Sequence, residues 1–340
     1  MKATKCVLTA LVTYCSLVGV SQAAEVNIRM AHFMPQNSWQ SEKMFNAWKE
    51  AVEEQSDNRI AVTVFPAQTL GKAPAGYDNA VNGIADIAWT VQGYTAGRFP
   101  LSQILELPGL FETGAVGSCA FQKLYNSGAL DKEYEEVKVL YVHTHSPGHL
   151  HTKDKKVTSL DDMKGLKIRR PTDVVGGLIS EMGAEPIGMP APTIYQNVQR
   201  GVIDGYMLPW SAVNSFRTYE VSKQHLEFPF YSLSFVTAMN KNTYNNLSDD
   251  LKKVIDANSG MKWAVNAGQG YDDADIVGLE KIKSTGGVIN TLSDVEKEKW
   301  SVISDEVSQA YIAKLDGMGL PGSKTFSDVQ NYVSECSSEL

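Results

Sequence analysis

Arg169 is the residue whose type and position point most directly to chemistry. It belongs to the short β-prone run Lys167-Ile168-Arg169, which Pro171 stops almost at once. Proline has no N–H to donate and forces its predecessor extended. An arginine delivered at the end of a strand, beside a loop, can grip an anion from above a sheet. Its guanidinium is always charged and its fork matches a carboxylate. Arg170 must then point to the other face of the strand. His143, His145, His149 and His151 alternate along β-prone segments. They lack the carboxylate or cysteine company expected at zinc, so no metal is expected. Asp86, Glu106 and Asp204 could be catalytic carboxylates, but Asp204 before Gly205 is more simply a turn residue. No nucleophile elbow, P-loop, GxGxxG after a strand or HExxH is present. Cys119 has no histidine near it in sequence. An anion-binding site is therefore expected, and neither an enzyme nor a cofactor is.

The elements that must position Arg169 alternate between strand and helix. Val26–Met30 reads as a strand, and Ser38 can cap a helix running to about Gln55. Arg59–Phe65 is β-branched and ends at Pro66. A short helix from Pro74 to Val81 leads into Ala85–Val91, an apolar run suited to a strand buried on both faces. This β-α-β-α-β order implies parallel strands. A helix over about 116–125 and strands over 137–143 and 150–152 follow, and residues 160–210 read as a second α/β unit. Phe228–Asn240 reads as one long strand crossing between two lobes. Ser248 caps what reads as a single helix to about Ser284, long enough to bridge domains. A short strand over 288–292 and helices over about 293–315 and 327–336 complete the chain.

Composition bounds the possibilities further. The 340 residues suit two domains, and 43% hydrophobic with 21% charged residues is ordinary for a globular protein. A formal charge of −8 argues against nucleic acid as a partner. Residues 1–24 read as a cleavable signal peptide: Lys2 and Lys5, an apolar stretch from Cys6 to Val20, then Ser21-Gln22-Ala23. A periplasmic location follows. Export permits a disulfide between Cys119 and Cys336, but two cysteines so far apart in the chain read as free, incidental thiols.

Several segments together resemble the solute-binding proteins of tripartite ATP-independent periplasmic (TRAP) transporters. Lys164-Gly165-Leu166-Lys167-Ile168-Arg169-Arg170-Pro171 matches that family's "K-G-L-K-I-R-x-P" strand. Tyr195 through Gly205 matches its "Y-x-x-x-Q-x-G-x-x-D-G", with Pro209 following. Gln68-Thr69-Leu70-Gly71, Asn82–Ile87, Leu105–Phe111 and Thr152–Gly165 are similar to further family segments in the same order. The resemblance implies an α/β, two-lobed periplasmic-binding-protein fold with hinge strands and a long domain-bridging helix. Residues 25–146 plus roughly 236–265 would form lobe 1, and 147–235 plus roughly 266–340 lobe 2. It implies a monomeric subunit that captures a small organic acid and hands it to a membrane permease driven by an ion gradient. The alternative is a sensor subunit that presents its ligand to a receptor kinase. Arg169 falls on the family's ligand-carboxylate arginine.

Two departures bear on the ligand. A second arginine common in the family is replaced by His149, either a scaffold histidine or a ligand contact. The Gln-Glu-Asn usual before the proline is replaced by Tyr206-Met207-Leu208, with Trp210 just after Pro209. That exchange suits a monocarboxylate with an apolar or aromatic body. Phe33, Gln92, Tyr94 and Trp210, from loops at strand ends, are further ligand-contact candidates, with His32, His143, His145 and His151 weaker ones.

Overall fold

The computed structural model describes residues 24–340. The expected signal peptide lies outside the described residues except for Ala24. In chain order the elements are β1 (Val26–Ala31), α1 (Asn46–Gln55), β2 (Ile60–Phe65), α2 (Gly76–Val81), β3 (Ile87–Val91), α3 (Gly114–Asn126) and β4 (Val137–Thr144). Then come β5 (Gly148–Thr152), α4 (Leu160–Met163), β6 (Lys167–Arg170), α5 (Asp173–Glu181), β7 (Glu185–Gly188), α6 (Ile194–Gln199), β8 (Gly205–Leu208), α7 (Trp210–Ser215) and β9 (Gln224–Tyr231). The chain ends with β10 (Ser234–Asn240), α8 (Lys241–Asn245), α9 (Asp249–Ala257), α10 (Met261–Ser284), β11 (Val288–Asn290), α11 (Asp294–Gly317) and α12 (Gly322–Glu339).

Two sheets organise these elements. The first has the order β2-β1-β3-β10-β4, and the second β11-β9-β5-β8-β6-β7. β1 pairs parallel with both β2 and β3, as the strand-helix alternation demands. Every residue of β3 is buried, which its continuous apolar run requires of a central strand. β10 enters antiparallel between β3 and β4. The lobes are joined where β4 passes to β5 through His145-Ser146-Pro147, and where β9 passes to β10 through Ser232-Leu233. The expected crossing strand over 228–240 is therefore two strands, one in each sheet, separated by that two-residue link.

The expected single helix from Ser248 to Ser284 is also two. Gly260 has φ +76, outside helical geometry, and its N–H donates to Leu140 O at 2.7 Å. The freed Asn258 carbonyl accepts from Trp48 Nε1 at 2.8 Å. The second piece, α10, does the bridging, because it lies against α3 of the first lobe and α7 of the second. Glycines permit both approaches. A Cβ on Gly268 would sit 2.2 Å from Gly114 O, and one on Gly278 2.3 Å from Trp210 O. Two aspartates on α10 then hold the N-termini of those helices. Asp272 accepts from Gly114 N at 2.7 Å and Ala115 N at 2.9 Å, and Asp275 accepts from Ser211 N at 2.6 Å. Negative charge at a helix N-terminus is favourable.

The reading of Cys119 and Cys336 as free thiols is overturned. They form a disulfide with Cα atoms 6.0 Å apart, joining α3 to α12. The 217-residue separation between them says nothing about distance once α12 folds back on the first lobe. Among the described residues, no helix is long and apolar enough to cross a membrane.

Candidate functional site

The site lies between the lobes, at the carboxyl ends of strands, where ligands of open α/β sheets bind. β6 delivers Arg169 from the second lobe. Its side chain is fully buried. Nε donates to Met189 O at 2.9 Å, Nη1 to Met207 O at 3.2 Å, and Nη2 to Tyr94 Oη at 3.2 Å. Three of the five N–H groups are thus used, and one remains on each terminal nitrogen. No carboxylate among the described residues pairs with it. Arg170 turns the other way, as alternation requires, and pairs with Asp173 at the surface.

Tyr94 comes from the first lobe, just past β3. Its hydroxyl accepts from Arg169 and, at 3.0 Å, from Ala191 N. Both lone pairs are therefore engaged, and its own proton is left to donate. Phe33, in the loop after β1, packs on Trp89 and Tyr94 at ring-centroid distances of 4.7 and 5.7 Å.

Around these groups the lobes enclose a slot of about 30 Å³ for water centres, against roughly 10–15 Å³ needed for one water. Its apolar walls are Phe33, Met34, Trp89, Val91, Leu233 and Phe235 on one side and Ala191, Leu208, Pro209, Ala212 and Phe216 on the other. Arg169, Tyr94, Gln40, His145 and Tyr271 are the polar residues of the lining. A small cavity walled mostly by apolar side chains suits a compact apolar body.

Two further contacts hold the lobes together. Thr172 Oγ1, at the N-cap of α5, donates to Glu106 Oε2 of the first lobe at 2.7 Å. Glu106 also accepts from Gln103 Nε2 and Ser234 Oγ. Burial pushes its carboxyl up to about 7, against the lowering effect of those donors. Across the slot, Ser215 Oγ donates to Gln40 Oε1 at 3.2 Å.

Of the residues singled out from sequence, Arg169, Tyr94, Phe33 and, among the weaker candidates, His145 line the slot, and the others lie elsewhere. His149 stacks on Trp210 at 4.4 Å, its Nδ1 lies 3.0 Å from Phe228 O, and it is not part of the slot lining. Burial pulls it down to about 4. Trp210 is not a wall of the slot; it packs on His149 and His151 at the start of α7, and its neighbours Pro209 and Ala212 face the slot instead. Gln92 turns into the first lobe and bonds Tyr134. His32 stacks on Phe45 at 4.2 Å, behind Phe33. Sequence reasoning ranked His145 low and missed Gln40, Tyr271, Phe216 and Phe235. Only Leu208 carried a signal, as part of the apolar exchange before Pro209.

A profile of bacterial extracellular solute-binding proteins of family 7, the DctP family, matches residues 30–315. The chain belongs to this family. It is a periplasmic TRAP solute-binding protein, a family that binds solutes and does not transform them. Among solved structures, a TRAP solute-binding protein from Rhodoferax ferrireducens in complex with copurified benzoate is 34% identical. It aligns with TM-score 0.89 over 92% of this chain and 98% of its own. A marine metagenome TRAP solute-binding protein specific for aromatic acid ligands, with 3-hydroxybenzoate, is likewise 34% identical, with TM-score 0.88 over 92% and 99% of the two chains. The ectoine-binding periplasmic protein TeaA of Halomonas elongata is 27% identical over 92% of both chains. Within the DctP family, then, this chain is similar to proteins whose bound ligands differ in chemistry.

Proposed function

We propose that this protein captures an aromatic monocarboxylic acid in the slot between its lobes and delivers it to the membrane permease of a TRAP transporter. The observation that carries the reading is the Arg169 guanidinium. It is buried without a counter-ion, and one free N–H remains on each terminal nitrogen. An unpaired buried charge is costly. A carboxylate laid end-on across the two nitrogens neutralises it and takes both N–H groups. The Tyr94 hydroxyl proton supplies a third donor.

One arginine serves one carboxylate, which favours a monocarboxylate over a diacid. The other walls, Phe33, Trp89, Phe216 and Phe235 among them, favour a flat apolar body over a sugar ring. The 34% identity to a protein carrying benzoate and to one described as specific for aromatic acids supports the same class. The mechanism is hinge closure about the 145–147 and 232–233 links. The open form admits the acid, and closure brings Tyr94 to Arg169 and Glu106 to Thr172. Exclusion of water lowers the local dielectric and strengthens the ion pair. The protein acts as a monomer after removal of its signal peptide.

A thermal-shift screen of organic acids tests the ligand class, because binding to the folded state alone raises the melting temperature by mass action. Benzoate and its relatives are expected to raise it. A shift with sugar acids or diacids and none with aromatic acids overturns the reading. Loss of aromatic-acid uptake in a strain lacking the protein tests delivery.

A further inference from the structure

Two residues that line the slot each carry a buried side-chain nitrogen with no hydrogen-bond partner of good geometry in the protein. Gln40 is fully buried, and Ser215 Oγ engages its carbonyl oxygen, which leaves the amide Nε2 without an acceptor. His145 is 2% exposed, and its Nε2 is also unpartnered. Ten buried side-chain polar atoms are unpartnered among the described residues, and these two alone belong to residues that line the slot. Tyr271 links them. Its ring centroid is 5.9 Å from that of His145, and its hydroxyl lies against the Gln40 side chain.

The protonation of His145 follows from its neighbours. Nδ1 faces the Ser146 carbonyl, which can only accept, so Nδ1 carries the proton. The nearby Ser232 hydroxyl donates its own proton to His145 O at 2.6 Å. In the neutral ring Nε2 is then a bare lone pair, an acceptor. Burial holds the imidazole neutral, down at about 3. The lining thus carries one unmet acceptor, His145 Nε2, and a donor amide, Gln40 Nε2, which keeps at least one of its two N–H groups unused beside the Tyr271 hydroxyl. Leaving such groups buried and unpaired is costly. A carboxylate oxygen cannot satisfy the acceptor, and an ammonium cannot satisfy the donor. A hydroxyl does both, because it donates its proton and accepts on its oxygen.

We propose that Gln40 and His145 form a hydroxyl-recognition subsite and that the preferred ligand is a hydroxylated aromatic monocarboxylic acid. This rests on the aromatic-acid reading above. The ring hydroxyl donates to His145 Nε2 and accepts from Gln40 Nε2, while Arg169 and Tyr94 hold the carboxylate. Sites built to hydrogen-bond a ligand hydroxyl discriminate strongly against the analogue that lacks it.

The test is isothermal titration of the wild-type protein with benzoate, the three monohydroxybenzoates and the three monofluorobenzoates, which keep a small substituent but have no proton to donate. At least one hydroxy isomer is expected to bind about tenfold or more tighter than benzoate and than its own fluoro analogue. Gln40→Met and His145→Phe should each reduce that preference to within about threefold. Because the readout is a ratio of two ligands on one protein, general damage to closure lowers both affinities and leaves the ratio. If benzoate binds and no hydroxy isomer binds more tightly, the subsite is overturned and the aromatic-acid reading stands. A preference undiminished in both variants also overturns the subsite. If no aromatic acid binds, both readings fall together.

Discussion

Tyr94 and Arg169 come from different lobes, and Arg169 Nη2 donates to Tyr94 Oη at 3.2 Å. The residue proposed to hold the ligand is therefore also one that holds the lobes together. Tyr94→Phe keeps the ring against Phe33 and removes the bridge to Arg169 and to Ala191 N. It should weaken aromatic-acid binding by about tenfold, the value of one or two hydrogen bonds. Titration calorimetry checks this, and an unchanged dissociation constant would remove Tyr94 from the site.

Arg169→Ala should cost far more, about 3–5 kcal/mol of binding, because the ligand carboxylate would be buried without its partner. Arg170→Ala, which removes only a surface pair with Asp173, should change binding by less than about 0.5 kcal/mol. Equal losses for the two variants would show that the acid does not sit on Arg169.

Glu106 gives the closed form a pH dependence with a definite sign. Its folded value is raised from 4.5 to about 7, chiefly by burial. The folded protein therefore binds this proton more tightly than the unfolded chain. The associated stability is present below about 4.5 and is lost as pH rises towards and through about 7. It amounts to something on the order of 3 kcal/mol. Buried histidines such as His143, pulled down to about 4, contribute the opposite slope. The difference between variant and wild type isolates Glu106. The melting temperature of Glu106→Gln relative to wild type should rise from pH 5 to pH 8; a flat difference would show that Glu106 does not titrate there.

Gly268→Ala places a methyl group 2.2 Å from Gly114 O, where helices α10 and α3 touch. The helices must separate, and overpacking of this kind typically costs about 1–3 kcal/mol. Chemical denaturation measures the loss. Wild-type stability in this variant would mean that the spacing is not tight.

The parallel core of the first lobe was legible because apolar runs and Pro or Gly stops mark buried strands directly. Arg169 was legible because the Lys164–Pro171 segment resembles the family's strand; residue type and the Pro171 stop alone would equally suit an ordinary salt-bridge arginine. What the sequence hid has identifiable physical causes. Gln40 lies in a π-helical turn, Gln40–Phe45, ahead of α1. That wider turn shifts the phase of the helix, so a 3.6-residue pattern cannot say that Gln40 faces the slot. His145 and His149 look alike in sequence, but one lies on the link between the sheets and the other within β5, against Trp210. Trp210 was expected at the slot because it follows Pro209, whereas α7 begins there and turns the indole away. Gly260 and Gly268 both stand out as interior glycines of the long helix, but residue type alone does not tell the break at the first from the close helix contact at the second, and an interior glycine is usually tolerated. The meeting of Cys119 and Cys336 depends on where α12 docks, a tertiary fact that their spacing does not contain.

That disulfide closes residues 119–336 into a covalent ring. Every strand of the second sheet lies inside it. A single proteolytic nick anywhere between the two cysteines therefore cannot release a fragment. The cut protein remains one molecule, both halves of its clamp still tethered, until a reductant opens the ring.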